Sequence, residues 1–254
     1  GTRERLYEEV GAIRDVIQNH MLRVIACLGM ECPTGTDRGA RGVERARLLE
    51  HIRPLGPEDV LRGQYGGYRQ EHNVAPDSQV ETFASVRFWI DNDRWQGVPF
   101  YLRVGKRLPV TITEAIVLSK RAAHPVLDDA EPARANYHRF RLTPEMVLAV
   151  GASVKRPGER MVGDPVELVA HRQPPDEMRP YERLLGDAAD GDPTLFARQD
   201  AVEASWRIVD PILGNVTPVH VYAPNTWGPP EAEHVLVPEG GWHNPEPDGG
   251  PAPE

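Results

Sequence analysis

Residues 11–31, GAIRDVIQNHMLRVIACLGME, set one imidazole among apolar residues. Ile13, Val16, Ile17, Val24, Cys27 and Leu28 recur at helical spacing, which predicts an inward-facing stripe, and His20 falls on it. Two readings of His20 stay open at this point. It is a hydrogen-bonded core histidine, or it is a general base with one ring nitrogen free near neutral pH. Asp15 lies five residues earlier, and at about 100° per residue the two stand roughly 140° apart around an α-helix. On that geometry Asp15 does not orient His20 but sits on the rim of the same pocket, where a carboxylate binds a hydroxyl.

A second candidate is LRVGKRLPVT, in which Lys106 and Arg107 follow a glycine at the end of an apolar strand. Two cations there are either a solvated strand end or a cradle for a phosphate or hydroxylated ligand, with Lys106 as a point charge. RGQYGGY is not a G-x-G-x-x-G and lacks a strand–helix context, so it is not read as a nucleotide loop. The chain also has no Walker A, no G-x-S-x-G and no H-E-x-x-H.

These residues need elements to position them. Residues 6–30 read as one long helix and VERARLLEHI as a second. RPLGPEDVLRGQYGGYRQEHNVAPDS reads as a Gly- and Pro-punctuated connection. VETFASVRFWID alternates with period two and is a strand, with VPFYLRVGKRL, TEAIVLSK, NYHRFRLT, MVLAVGAS and VELVA as further strands. Helices PYERLLGDAADG and DAVEASWRIVDPIL follow. Strands do not alternate with helices, so the expected class is α+β: a large, mostly antiparallel or mixed sheet with helices packed on one side. The expected organisation is a domain over residues 1–222 and an extended Pro/Gly-rich tail over 223–254, disordered near its end.

Composition narrows the function classes. Of 254 residues, 40% are hydrophobic and 26% charged, with a net charge of −9. There is no basic cluster of the density a nucleic-acid binder shows, and no apolar run of the ~18 residues that cross a bilayer, so neither nucleic acid nor membrane is an expected partner. Two cysteines, Cys27 and Cys32, are too few for a disulfide framework or a zinc site. Buried inert thiols in a reducing cytoplasm are expected. The start at Gly1, running directly into a helix, reads as a cut through a longer protein.

GAIRDVIQNH, RPLGPEDVLRGQYGGY, SQVETFASVRFWIDNDRWQGVPFYLRVGKRLP, PYERLLGDAADGDPTLF and VEASWRIVDPIL, in this order, resemble the C-terminal domain of the glucose-6-phosphate dehydrogenase family. The resemblance runs from about residue 6 to the WGPPEA segment. It implies an oxidoreductase of the entry step of the pentose phosphate pathway, with glucose 6-phosphate as substrate and NADP as cofactor. It also implies a homo-oligomer, dimer or tetramer, assembled through the sheet.

By the resemblance, His20 is the catalytic base that takes the C1 hydroxyl proton as hydride leaves C1. Asp15 contacts the sugar hydroxyls and Lys106 binds substrate. The dinucleotide-binding domain, the carboxylate that orients the base and most phosphate ligands belong to an upstream half. Two positions depart from the family pattern. Thr111, taken as a substrate-binding position, stands where a second cation is usual, and Thr143 stands where several members carry a glutamine; Arg107 is a candidate to compensate. The alternative is a non-catalytic sugar-phosphate-binding, assembly or regulatory protein of the same fold. Retention of Asp15, His20 and Lys106 together favours the enzyme. Phe83 and Trp89 are expected on the outward face of the interface sheet.

Overall fold

Gly11 breaks what reads as one long helix. In the computed structural model, which describes residues 2–35, 39–120, 124, 126–127, 135–158, 160–172 and 180–246, Gly11 has φ 67° and ψ 178°. Only a residue without Cβ takes that conformation freely. α1 (Thr2–Ala12) therefore ends in a kink, a π-helical segment spans Ile13–Met21, and α2 (Leu22–Gly29) resumes the α form. The π geometry shows in the bond from the Leu22 N–H to the Ile17 carbonyl, five residues back.

That extra residue per turn moves the buried stripe to Ile13, Ile17, Gln18, Leu22, Ala26 and Gly29. His20 leaves the stripe and is exposed, which removes the core-histidine reading. Cys27 turns outward for the same reason. Cys32 lies beyond α2, so both thiols are exposed rather than buried.

Further elements are α3 (Ala40–Glu50), β1 (Val60–Tyr65), β2 (Phe83–Trp89), β3 (Pro99–Gly105), β4 (Thr113–Leu118), β5 (Tyr137–Thr143), β6 (Met146–Lys155), β7 (Gly163–Arg172), α4 (Pro180–Ala189), α5 (Gln199–Val209) and β8 (Val219–Tyr222). The class is α+β, as expected. The strands form two four-stranded sheets: a mixed one, β3-β2-β1-β8, with β1 and β8 parallel, and an antiparallel one, β4-β5-β6-β7. The chain divides into two compact units, residues 1–109 with 178–242 and residues 110–177 with 243–254. No helix among the described residues is long and apolar enough to cross a membrane.

In the first unit one core joins the π segment and α2 to α3, α5 and the mixed sheet through Ile13, Leu49, Ile208, Phe83 and Phe88. β2 is central and buried on both faces, so Phe83 is fully buried rather than outward and Trp89 is half-buried. β1 lies inside what reads as a connection. Its Arg62 and Gln64 hide it, but Arg62 is buried against Glu81 (3.1 Å), and Gln64 donates to the Val80 carbonyl (2.8 Å). β8 was likewise not apparent from the sequence. Residues 223–242 pack rather than trail. The Arg103 guanidinium lies 4.8 Å from the ring centroids of both Trp227 and Trp242, and burial brings Arg103 down to about 10. Residues 247–254, where disorder is expected, lie outside the described residues.

The second unit puts charge inside and apolar side chains outside. Arg139 meets Glu167 (2.8 Å) and Glu114 (3.3 Å), Arg141 meets Glu114 (2.8 Å), and His243 meets Glu114 (2.6 Å). On the other face His138, Val150 and Leu168 sit side by side, as do Phe140, Leu148 and Ala170, and Leu168 is 73% exposed. Burial opposes ionisation of Glu114. The hydrogen bonds and charges of His243 and Arg141 outweigh it and hold the carboxyl at about 2, below its ordinary 4.5. A carboxyl lowered by folding contributes stability above its unfolded value and loses it as pH falls toward the folded one. We expect the denaturation midpoint to fall between about pH 4.5 and pH 2, and Glu114→Gln to flatten that dependence. Midpoints at three pH values for both proteins check it.

Candidate functional site

The chemistry-bearing residues gather where α1, the π segment and the end of β3 meet. β3 stops at Gly105, where a Cβ would come within 2.9 Å of the Phe83 ring. Lys106 then donates its backbone N–H to the Thr82 carbonyl (2.8 Å), and its own carbonyl accepts from the Tyr222 hydroxyl (2.7 Å). With its backbone held by Thr82, just before β2, and by Tyr222 of β8, Lys106 lays its ammonium 4.4 Å from the ring centroid of Tyr7. Tyr7 is 8% exposed, and its hydroxyl has no hydrogen-bond partner among the described residues. Burial, then the charge of Glu81, the Tyr222 phenol and the Asp15 carboxylate push the Tyr7 phenol far up, so it stays protonated. Lys106 thus lies over the Tyr7 ring, on the helix that runs on into the segment bearing Asp15 and His20.

His20 stands further along the same segment. At about 4.4 residues per turn, a π-helix sets residues five apart roughly 50° from one another rather than about 140°. The expectation that Asp15 and His20 occupy different faces is corrected accordingly. Neither side chain makes a hydrogen bond among the described residues, and Asp15 is half-buried while His20 is exposed. A carboxylate and an imidazole on one side of a helix, both open to a ligand, can bind a hydroxyl and take a proton.

The other candidates divide. Arg107 takes a left-handed φ of 55°, pairs with Glu71 (3.5 Å) and lies over the Tyr65 ring. Thr111 is exposed and belongs to the second unit. Thr143 is exposed in the same unit, and its hydroxyl accepts the Thr113 N–H (3.2 Å). A cleft of about 150 Å³ lined by Gln18, Asn19, Arg23, Arg45 and Trp206 contains none of Asp15, His20 and Lys106.

Two contributors escaped the sequence reading, Tyr7 and Glu81. Gly11 inside an apparent helix was the available signal for a break there. Nothing in the spacing pointed to Glu81, which reads as the polar side of a strand.

The family model for the C-terminal domain of glucose-6-phosphate dehydrogenase matches residues 1–243. The chain belongs to that family. Glucose-6-phosphate 1-dehydrogenase 1 of Mycobacterium tuberculosis is 39% identical over 246 residues, covering 96% of this chain and 52% of that protein. Glucose-6-phosphate 1-dehydrogenase of Aggregatibacter actinomycetemcomitans is 38% identical over 268 residues, with 96% and 54% covered. The crystal structure of the Mycobacterium avium glucose-6-phosphate 1-dehydrogenase superposes with a TM-score of 0.86 at 37% identity, covering 96% of this chain and 53% of that one. A glucose-6-phosphate dehydrogenase in complex with its substrate glucose 6-phosphate superposes with a TM-score of 0.84 at 29% identity, over 97% and 54%. The chain spans about half the length of these relatives, and the match assigns it to the glucose-6-phosphate dehydrogenase C-terminal domain.

Proposed function

We propose that this chain is the substrate-binding and catalytic-base domain of an NADP-dependent glucose-6-phosphate dehydrogenase, which oxidises glucose 6-phosphate at C1 to the 6-phosphogluconolactone. The observation that carries it is the Lys106 ammonium over the ring of Tyr7, on the helix that continues into the segment presenting Asp15 and His20. His20 takes the proton of the C1 hydroxyl. The proton must leave as the C1–H bond breaks, because the carbonyl forms from the O–H electron pair. Asp15 accepts hydrogen bonds from the sugar hydroxyls, and Lys106 supplies a cation to the substrate anion.

A bound nicotinamide would supply the hydride acceptor. Among the described residues the one parallel pair, β1–β8, carries no strand–glycine turn–helix unit. The dinucleotide site and the group that orients His20 are assigned to an upstream half, and the enzyme to the cytoplasm. Assembly as a homo-oligomer is assigned to the exposed apolar face of β5–β7, which replaces Phe83 and Trp89 as the interface surface. A non-catalytic sugar-phosphate-binding protein is the second reading, favoured by Thr111 and by the engagement of Thr143 within its own sheet.

The complete protein, upstream half included, is expected to reduce NADP⁺ in the presence of glucose 6-phosphate, and residues 1–254 alone are not. Turnover by the 254-residue chain alone, or a complete protein that binds the sugar phosphate without reducing NADP⁺, overturns the reading. Tyr7 provides a finer check. Tyr7→Phe keeps the ring and discards an unpaired hydroxyl, so KM for glucose 6-phosphate stays within about twofold. Tyr7→Leu removes the ring under Lys106, and a cation–π contact of ~0.5–2 kcal/mol corresponds to a rise in KM of about twofold to thirtyfold. Steady-state kinetics of both variants decide it.

A further inference from the structure

The π segment is a rare form and needs something to hold it. The Ala12 N–H donates to the Glu81 carbonyl (3.0 Å), and the Ile13 N–H to Glu81 Oε1 (3.1 Å). Glu81, 69 residues away from Ala12 in sequence, thus caps the first turn of the segment with both its backbone and its side chain. The carboxylate is fixed in turn. Its Oε2 accepts from Arg62 (3.1 Å), and Arg62, 2% exposed, also donates to the Gln79 carbonyl (2.6 Å) and the Thr217 carbonyl (3.0 Å). Gly11 fits the arrangement from the other side. A Cβ there would run into the Glu81 carboxylate, and its left-handed φ already disfavours one. The next residue, Thr82, accepts the Lys106 N–H through its carbonyl (2.8 Å). Residues 81 and 82 therefore tie the start of the π segment and the backbone of Lys106 to the same turn of chain.

We propose that Glu81 is a positioning residue for the proposed dehydrogenase reaction: it fixes the helical register in which His20 is presented relative to Lys106. The inference rests on the reading of His20 as the base. Without the side-chain cap the Ile13 N–H is left unpaired, and the segment is free to relax to the α register. Over the seven residues from Ile13 to His20 that relaxation turns His20 by roughly 130° about the axis, against roughly 40° for Asp15. The chemical step therefore suffers more than sugar binding, since misplacing a reacting group by about 1 Å can cost ~10² in rate.

Two variants separate positioning from mere support. Glu81→Gln keeps an oxygen for the Ile13 N–H but no longer neutralises Arg62. Glu81→Ala removes both. Both are expected to lower the melting temperature of this chain. Amide hydrogen exchange across residues 13–22 is expected to quicken at least about tenfold in Glu81→Ala, relative to the rest of the first unit, and to stay near the unaltered rate in Glu81→Gln. In the complete enzyme, Glu81→Ala is expected to lower kcat about tenfold or more with KM for glucose 6-phosphate within about threefold, while Glu81→Gln keeps kcat within about threefold.

Unchanged exchange and kcat in folded Glu81→Ala overturn the proposal. So does a parallel loss of kcat in both variants that follows their melting temperatures. If the unaltered complete enzyme shows no turnover, the functional reading fails by itself, and the exchange comparison still decides whether Glu81 sets the register.

Discussion

Replacing His20 by Asn in the complete enzyme is expected to lower kcat for glucose 6-phosphate oxidation by about 10²–10⁴ while KM changes little. The magnitude is that of a positioned general base. Asparagine is close to isosteric with part of the imidazole but cannot take a proton. His20 is exposed and makes no hydrogen bond among the described residues, so the substitution leaves the core untouched. Exposed substitutions away from caps and strained backbone usually stay within about 0.5 kcal/mol, so the melting temperature should shift by only a degree or two. A large loss of turnover in a protein of unchanged stability is what a core histidine would not give. The check is kcat, KM and thermal unfolding on one preparation.

Replacing Lys106 by Gln is expected to raise KM for glucose 6-phosphate by about tenfold to a hundredfold with a smaller change in kcat. Hydrogen bonds to charged groups contribute ~1.5–3 kcal/mol, and a glutamine at this position retains a donor but no charge. The backbone of residue 106 is held by Thr82 and Tyr222, so the strand end keeps its place in the variant. The unaltered enzyme should also show a KM that rises with ionic strength, and the variant a weaker dependence. A KM unchanged by Lys106→Gln, measured at low and high salt, would return Lys106 to the role of a solvated strand end.

Both expectations depend on features of unequal visibility in the sequence. β2 to β7 announced themselves through alternation and β-branched or aromatic content. β1 did not, because VLRGQY carries an arginine, a glycine and a glutamine that local propensity counts against a strand. The charge that disqualifies Arg62 locally is matched by Glu81, 19 residues on, and only the fold brings the two together. The same holds for the helix register. A 3.6-residue period placed His20 on the buried stripe, and one extra residue per turn across Ile13–Met21 moved it out. That insertion is encoded partly outside the helix, in Gly11 and in the distant cap from Glu81, so no window on the helix alone contains it.

Of the candidate site, Asp15, His20 and Lys106 stand out by residue type and position, and the resemblance supplies their roles; their surroundings were not legible. The tyrosine under the Lys106 ammonium sits on α1, where Tyr7 reads as an ordinary aromatic. Phe83 and Trp89 are not outward-facing for a related reason. Alternation in residues 80–91 suggested one outward face, but β2 lies between β1 and β3 and is covered on both faces, while the solvent-facing apolar residues lie on β5–β7. Period two identifies a strand, but the number of faces it buries depends on its neighbours.

The central claim is that His20 takes the substrate proton. Its most direct test is the turnover of a His20→Gly enzyme measured with and without added imidazole, at concentrations that leave unaltered enzyme unaffected. The glycine removes the base and leaves space where a free imidazole can stand. Turnover is expected to fall by at least about a hundredfold without imidazole, with a saturable, imidazole-dependent recovery at unchanged folded fraction. Turnover close to that of the unaltered enzyme in the absence of imidazole would contradict it, because the proton would then be leaving by another route.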